Sequence, residues 1–343
     1  MKVFVKTFGC TLNQRDSENI VGILQKNGFE IGEDADIVIV NTCGVKSTTQ
    51  NKVISYINSL DKPVYVGGCL PRMLDLKKLT PNVKGYFDTN SIKKLVEQIK
   101  DELFENFSLE KENRLNMEIV RNSKDVAIIP ISQGCLGNCT YCSVRFARGS
   151  LKSYSEEEIL EEVRSVKDYK KIYLTSQDTG CYGNDRGTDL ISLLKKVISI
   201  EGKFKVRLGM ANPEHILPIL KELIEVYKSD KIIKFIHIPV QSGSNKVLKE
   251  MGRKYSVEQF KKIVKAFREE IKDIHISTDI IVGFPSESDK DFQGTLDLLE
   301  DIKPEVLNVS KFAPRPKTEA ANMKQLKSEV IKDRSRIIHN THQ

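Results

Sequence analysis

Ten short apolar runs, separated by stretches with helical spacing, leave this chain few folds other than parallel sheets covered by helices. The first four are KVFVKTF (2 to 8), DIVIVN (36 to 41), PVYVGG (63 to 68) and the weaker KGYFDT (84 to 89). Between and after them Ile20, Ile23 and Leu24, then Val53, Ile54 and Ile57, then Ile92, Leu95 and Ile99 keep the helical period. A small parallel-sheet α/β domain over residues 1–100 is expected. The six later runs are VAIIPIS (126 to 132), KIYLTS (171 to 176), KVRLGM (205 to 210), KFIHIPV (234 to 240), HISTDIIVGF (275 to 284) and VLNVSKF (306 to 312). Six repeats of strand then helix over 125–325 predict an open, incomplete (β/α)6 barrel. The charged, poorly periodic stretch 101–124 reads as a linker, and 326–343 as one terminal basic helix. Ser155, ahead of three acidic residues, and Ser256 are expected N-caps.

Two domains suit 343 residues. No apolar run approaches the roughly 20 residues that span a bilayer, and the N-terminus lacks a signal-peptide pattern, so a cytoplasmic protein without a membrane partner is expected. The formal charge of +7 suits a polyanionic partner. Seven unevenly spaced cysteines argue for metal binding or catalysis over a disulfide framework.

Cys135, Cys139 and Cys142 follow the first strand of the second series, in QGCLGNCTYC. The spacing puts three thiolates on one tight loop, where they ligate three irons of a 4Fe-4S cubane and leave the fourth open. An open iron accepts the amino and carboxylate groups of S-adenosylmethionine (SAM), and a reduced cluster then cleaves the sulfonium to give a 5′-deoxyadenosyl radical. Structural zinc is the competing reading, but zinc wants four protein ligands and no nearby His or Cys supplies the fourth. The loop also sits at the carboxyl end of a barrel strand, where active sites gather.

Cys10, Cys43 and Cys69 each stand just past one of the first three strands. Singly each reads as a small buried hydrophobe. Parallel strands share one carboxyl edge, so together they can converge on a second cluster, with Gly9, Gly44, Gly67 and Gly68 allowing close backbone approach.

The opening TFGCTLNQRDSE, the paired NTC and GGC, the cysteine triplet and RFARGSLKSY resemble the radical SAM methylthiotransferases over nearly the whole chain. LTSQDTGCYG, RLGMANP, HIPVQSGS, TDIIVGFPSES and FAPRP are most similar to the archaeal and eukaryotic branch that modifies tRNA. That resemblance implies methylthiolation of C2 of N6-threonylcarbamoyladenosine at tRNA position 37. It implies two 4Fe-4S clusters, a radical-generating one on the triplet and a sulfur-delivering one on Cys10, Cys43 and Cys69, with SAM as cofactor and an electron donor such as a ferredoxin or flavodoxin. Tyr141 matches the aromatic that radical SAM proteins place beside the adenine, and Gln177, Arg207, Gln241 and Asp279 are the expected SAM contacts. The family usually ends in a small β-barrel RNA-binding (TRAM) domain, which is expected to be missing after the terminal helix.

Two rivals stay open at this stage: methylthiolation of another substrate, an isopentenyl-type adenosine or a ribosomal-protein aspartate, and a non-catalytic two-cluster iron-sulfur protein. Cys181 is expected to be a free cysteine, and His215, His237 and His275 to be packed or hydrogen-bonded. Arg145 and Arg148 are expected to steer phosphate or stay solvated, and Arg315 is a candidate nucleotide contact.

Overall fold

The computed structural model of the protein describes residues 1–44, 47–102 and 104–341. Residue 103 of the expected linker and residues 342–343 of the expected terminal helix lie outside the described residues. The chain divides into two compact units, Met1–Cys135 with Ser143–Tyr169, and Leu136–Cys142 with Lys170–Gln343.

In the first unit the order is β1 (Lys2–Thr7), α1 (Thr11–Lys26), β2 (Glu30–Ile31), β3 (Ile37–Thr42), α2 (Ser47–Asn58), β4 (Val64–Gly68), α3 (Leu70–Met73), β5 (Val83–Phe87), α4 (Leu95–Lys100) and β6 (Glu105–Asn106). The six strands form one all-parallel sheet in the order β2-β1-β3-β4-β5-β6. β3 is buried at every position, the mark of a strand covered on both faces. Ile39 packs with Ile20, Leu24 and Leu95 on one face, whereas Val38 and Val40 pack with Val53, Val66 and Leu70 on the other. Burying a side chain of this size stabilises by about 1.5–3 kcal/mol, and the alternation fixes the register. That register sets Thr7 beside Asn41 and Thr42 beside Gly68, so β1, β3 and β4 end side by side.

The unit continues with β7 (Val126–Pro130), β8 (Ser132–Gln133), α5 (Val144–Arg148), β9 (Lys152–Ser153) and α6 (Glu156–Ser165). Ser155 caps α6 as expected, its hydroxyl accepting from the Glu158 amide while Glu158 reaches back. The stretch 101–124, expected as a linker, is instead built into this unit. β6 extends the sheet from β5, and Arg114 lies within it, 1% exposed. Charges read as solvated there serve as partners for buried groups of α1.

The second unit holds β10 (Lys171–Thr175), α7 (Leu190–Ser199), β11 (Lys205–Leu208), α8 (Pro213–Ile216), α9 (Leu220–Tyr227), β12 (Phe235–His237), α10 (Asn245–Glu250), α11 (Val257–Glu270), β13 (His275–Val282), α12 (Asp289–Ile302), β14 (Val306–Lys311) and α13 (Ser328–Thr341). β10 and β11 pair in parallel, as do β12, β13 and β14. The Ala211 amide donates to the His237 carbonyl at 3.0 Å, carrying the chain-order sequence of strands across. Ser256 forms the expected cap of α11, and Ser288 caps α12 the same way. Along β10 to β12, Ile172, Leu174, Val206, Leu208 and Ile236 are buried, while the alternating Tyr173, Arg207, Phe235 and His237 are half-buried. That second face carries the polar chemistry.

Candidate functional site

The carboxyl ends of β1, β3 and β4 are closed by a network that needs short polar residues. Asn41 Nδ2 donates to the Asn13 carbonyl (2.8 Å) and to Ser17 Oγ (2.9 Å), while Asn13 Nδ2 donates to the Thr42 carbonyl (2.8 Å). Thr42 Oγ1 donates to the Gly67 carbonyl at 2.5 Å, and the Cys69 amide to the Thr42 carbonyl at 2.9 Å. On this frame Cys10 opens α1, Cys43 follows β3 and Cys69 opens α3. A Cβ added at Gly9, where φ is +134°, would lie 2.7 Å from the Cys43 Cβ. At Gly68, φ +91°, it would lie 2.4 Å from Asn41 Oδ1 and from the Thr42 carbonyl. Gly68→Ala is therefore expected to destabilise this unit by about 1–3 kcal/mol, read as a lower urea midpoint at unchanged slope; an unshifted midpoint contradicts the tight approach.

The sequence places Cys10, Cys43 and Cys69 one per strand, and the fold brings all three to adjacent strand ends. Burial pushes the Cys69 thiol up to about 11, with Arg148 pulling it down and Cys43 and Cys10 adding to the rise. Arg148, expected near phosphate or solvent, is 1% exposed. Its Nη2 donates to Asp16 Oδ2 at 2.6 Å and to Asn13 Oδ1 at 3.2 Å. Arg114 Nε donates to the other Asp16 oxygen at 2.8 Å. Burial favours the neutral Asp16 carboxyl, but Arg148 and Arg114 outweigh it and hold the group below the usual carboxylate range. Arg148 Nη1 has no hydrogen-bond partner among the described residues. A donor set of three thiols beside a buried guanidinium with a spare N–H edge fits an anionic iron-sulfur group.

Of the triplet, Cys135 belongs to the first unit, its amide donating to the Gly149 carbonyl at 3.3 Å. Cys139 and Cys142 belong to the second unit, in a turn whose Cys142 amide donates to the Cys139 carbonyl at 3.0 Å. Thr140 pins the turn to the end of α10, its amide on the Met251 carbonyl (3.1 Å) and its hydroxyl on the Glu250 carbonyl (2.8 Å). Arg253 Nη1 donates to Cys139 Sγ at 3.2 Å, while its Nε meets the Tyr255 hydroxyl at 2.8 Å and its Nη2 the Pro239 carbonyl at 3.1 Å. The guanidinium thereby fixes the direction of the Cys139 side chain. Tyr141, partly buried, packs against Met251, Phe284 and Phe312. Burial pushes its phenol well up, so it stays neutral.

Arg207 lies between the rings of Tyr173 and Phe235, 5.1 and 4.3 Å from their centroids. Gln241 adopts φ +76°, a rare conformation for a non-glycine residue, held by its amide on the Asp279 carbonyl (2.8 Å) and by the Ile281 amide on its own carbonyl (2.9 Å). Asp279 Oδ1 meets His237 Nε2 at 3.0 Å and accepts from Asn308 Nδ2 at 2.9 Å. Gln177 is half-buried just past β10. Next to it Asp178, Cys181 and His215 converge: Asp178 Oδ2 meets His215 Nδ1 at 2.7 Å, and Cys181 Sγ donates to the Asp178 carbonyl at 3.2 Å. Burial lowers the His215 pKa, yet Asp178 wins and the net shift is upward. His275 is exposed, unlike the expected packed histidine, and Arg315 is buried, 7% exposed. Sequence reading missed Arg114, Arg253 and Asn308, whose site partners Asp16, Cys139 and Asp279 stand far from them in the chain.

The Radical SAM superfamily pattern matches residues 129–299, and that of Uncharacterized protein family UPF0004 matches residues 2–87. Among curated proteins, the chain is 44% identical to a probable threonylcarbamoyladenosine tRNA methylthiotransferase of Pyrococcus abyssi, over 99% of this chain and 83% of that protein. It is 37% identical to the threonylcarbamoyladenosine tRNA methylthiotransferase of Homo sapiens, over 99% of this chain and 62% of that protein. Among solved structures, the radical SAM methyltransferase TsrM of Kitasatospora setae aligns with a TM-score of 0.63 at 13% identity, covering 93% of this chain and 75% of that one. The cobalamin-dependent radical enzyme OxsB aligns with a TM-score of 0.63 at 15% identity, over 99% and 55%. These two likenesses concern the fold.

Proposed function

The chain belongs to the threonylcarbamoyladenosine tRNA methylthiotransferase family of radical SAM enzymes, and from that premise we propose that it methylthiolates C2 of N6-threonylcarbamoyladenosine at tRNA position 37. SAM and a 4Fe-4S cluster go with the radical SAM domain. Cys135, Cys139 and Cys142 hold that cluster, and Cys10, Cys43 and Cys69 hold a second one. When bound, the first supplies the electron that cleaves SAM and the second the sulfur that is transferred.

The observation that carries the second site is the meeting of three cysteines at adjacent strand ends beside a buried guanidinium. Three ligands leave one iron open to chemistry, as a closed four-cysteine site would not. The chain's own residues do the remaining work. Arg253 holds the Cys139 sulfur in place through its hydrogen bond. Tyr141 offers an apolar wall for the adenine of SAM, and Arg207, braced between two rings, offers N–H donors to an anionic group such as the methionine carboxylate. His237 and Asn308 orient Asp279, and Gln177 and Gln241 add polar contacts at the strand ends. A ferredoxin or flavodoxin supplies electrons, and the enzyme works in the cytoplasm; among the described residues no helix is long and apolar enough to cross a membrane.

Nucleoside mass spectrometry of tRNA incubated anaerobically with reconstituted protein, SAM and reductant tests this reading. The 2-methylthio derivative of threonylcarbamoyladenosine is expected to accumulate with turnover. An unchanged nucleoside profile, or methylthiolation of an isopentenyl-type adenosine in its place, overturns it.

A further inference from the structure

We propose that Arg148, locked in place by Asp16, is the fixed counter-charge of the three-cysteine site, a positioning residue that admits an anionic cluster there and sets its reduction potential. The proposal rests on the reading of Cys10, Cys43 and Cys69 as cluster ligands, and all of its residues lie in the first unit.

Arg148 ends α5, which packs on α3 through Ala147, Met73 and Cys69 itself. The helix that carries the guanidinium is thereby seated against the helix that Cys69 opens. Thr89 adds a tether, its hydroxyl donating to the Ala147 carbonyl at 3.0 Å. Asp16 Oδ2, 2.6 Å from Nη2, holds the cation there, and the side chain that precedes it, Ala147, packs on Cys69.

A buried guanidinium is costly unless its donors and its charge are met. Asp16 is its carboxylate among the described residues, and it is shared with Arg114. Arg114 has a further carboxylate in Glu112, 3.4 Å away, so the fork left short is that of Arg148. Nη1 of Arg15 and Nε of Arg114 are engaged as well, by Glu162 and Asp16, and although Arg15 Nε and Arg114 Nη2 also lack partners, Arg148 differs in facing thiols. A 4Fe-4S core in its ordinary oxidised state, ringed by three thiolates, is a net anion. It meets both needs of Arg148, a charge to balance and an acceptor for Nη1. Reduction adds a further negative charge, which a fixed cation stabilises, so the potential rises with the guanidinium present.

The test uses the full chain carrying Cys139→Ala, which removes a triplet ligand and leaves the N-terminal cysteines intact. Iron and sulfide are assayed after anaerobic reconstitution, and the potential is taken from a redox titration followed by electron paramagnetic resonance. Arg148→Gln on that background is expected to shift the midpoint to more negative potential at retained circular dichroism, with faster loss of iron to a chelator. Arg148→Lys keeps the charge and is expected to return the midpoint towards the parent. An unshifted midpoint in Arg148→Gln overturns the proposal. If the Gln variant does not fold, the Lys variant decides alone: folded protein with a midpoint near the parent supports the counter-charge, and a large negative shift overturns it. A parent whose bound iron is unchanged by adding Cys10→Ala, Cys43→Ala and Cys69→Ala, or which takes up zinc in place of iron, defeats the cluster reading itself, and that result is separate from any effect of Arg148.

Discussion

Cys139→Ala is expected to abolish 5′-deoxyadenosine formation, with bound iron falling to about half because the two three-cysteine sites are independent in their ligands. A cubane with two protein ligands is lost or rearranged, and without it SAM has no electron source. The fold is expected to survive the change. Arg253 loses the Cys139 sulfur as an acceptor but keeps the Tyr255 hydroxyl and the Pro239 carbonyl, and the turn at 139–142 stays tied to α10 through Thr140. The penalty of the orphaned donor is about 1–3 kcal/mol, a shift in unfolding midpoint and not a collapse. Chromatography after anaerobic incubation with dithionite and SAM reads the product directly. SAM cleavage at the parent rate would remove the triplet from the chemistry and favour an electron-transfer protein.

The strands were legible because β3 and β4 are near-continuous apolar runs, and because β10, β11 and β12 alternate a buried aliphatic with a half-buried residue. Where the structure differs, a neighbour from elsewhere in the chain decides. KFIHIPV reads as seven strand residues, yet β12 stops at His237: Pro239 has no amide to pair, and Gln241 turns into the left-handed region. β2 and β6 are two residues each, too short to show a period. The stretch 101–124 looked like a solvated linker because its charges follow no pattern among themselves. Their pattern lies in α1: Arg114 meets Asp16, the Asn122 amide donates to Glu18 at 3.0 Å, and the Val120 amide donates to the Glu18 carbonyl at 3.0 Å. The same holds for the sites. Cysteine spacing relative to strand ends was readable, since parallel strands share an edge. The guanidinium beside each cysteine set was not, because Arg148 and Arg253 stand 79 and 114 residues from the cysteines they face, Cys69 and Cys139.

Separating the two sites needs a variant that silences one and spares the other, and Cys43→Ala is that variant. Cys43 ends the middle of the three cysteine-bearing strands, with β1 on one side and β4 on the other. Its loss removes the middle one of the three proposed ligands, while the frame of Asn13, Asn41 and Thr42 is built from other side chains and persists. The triplet and its partners Arg253 and Tyr141 are untouched in sequence. SAM is therefore expected to be cleaved to 5′-deoxyadenosine at close to the parent rate, while the 2-methylthio nucleoside falls below detection in the same reaction. Counting both products from one vial is what gives the experiment its force, because a misfolded protein loses both. Methylthiolation persisting at the parent level would mean that sulfur reaches the substrate by a route independent of this sheet edge. The paired outcomes of Cys139→Ala and Cys43→Ala then decide whether one chain divides radical generation and sulfur delivery between two cysteine sets.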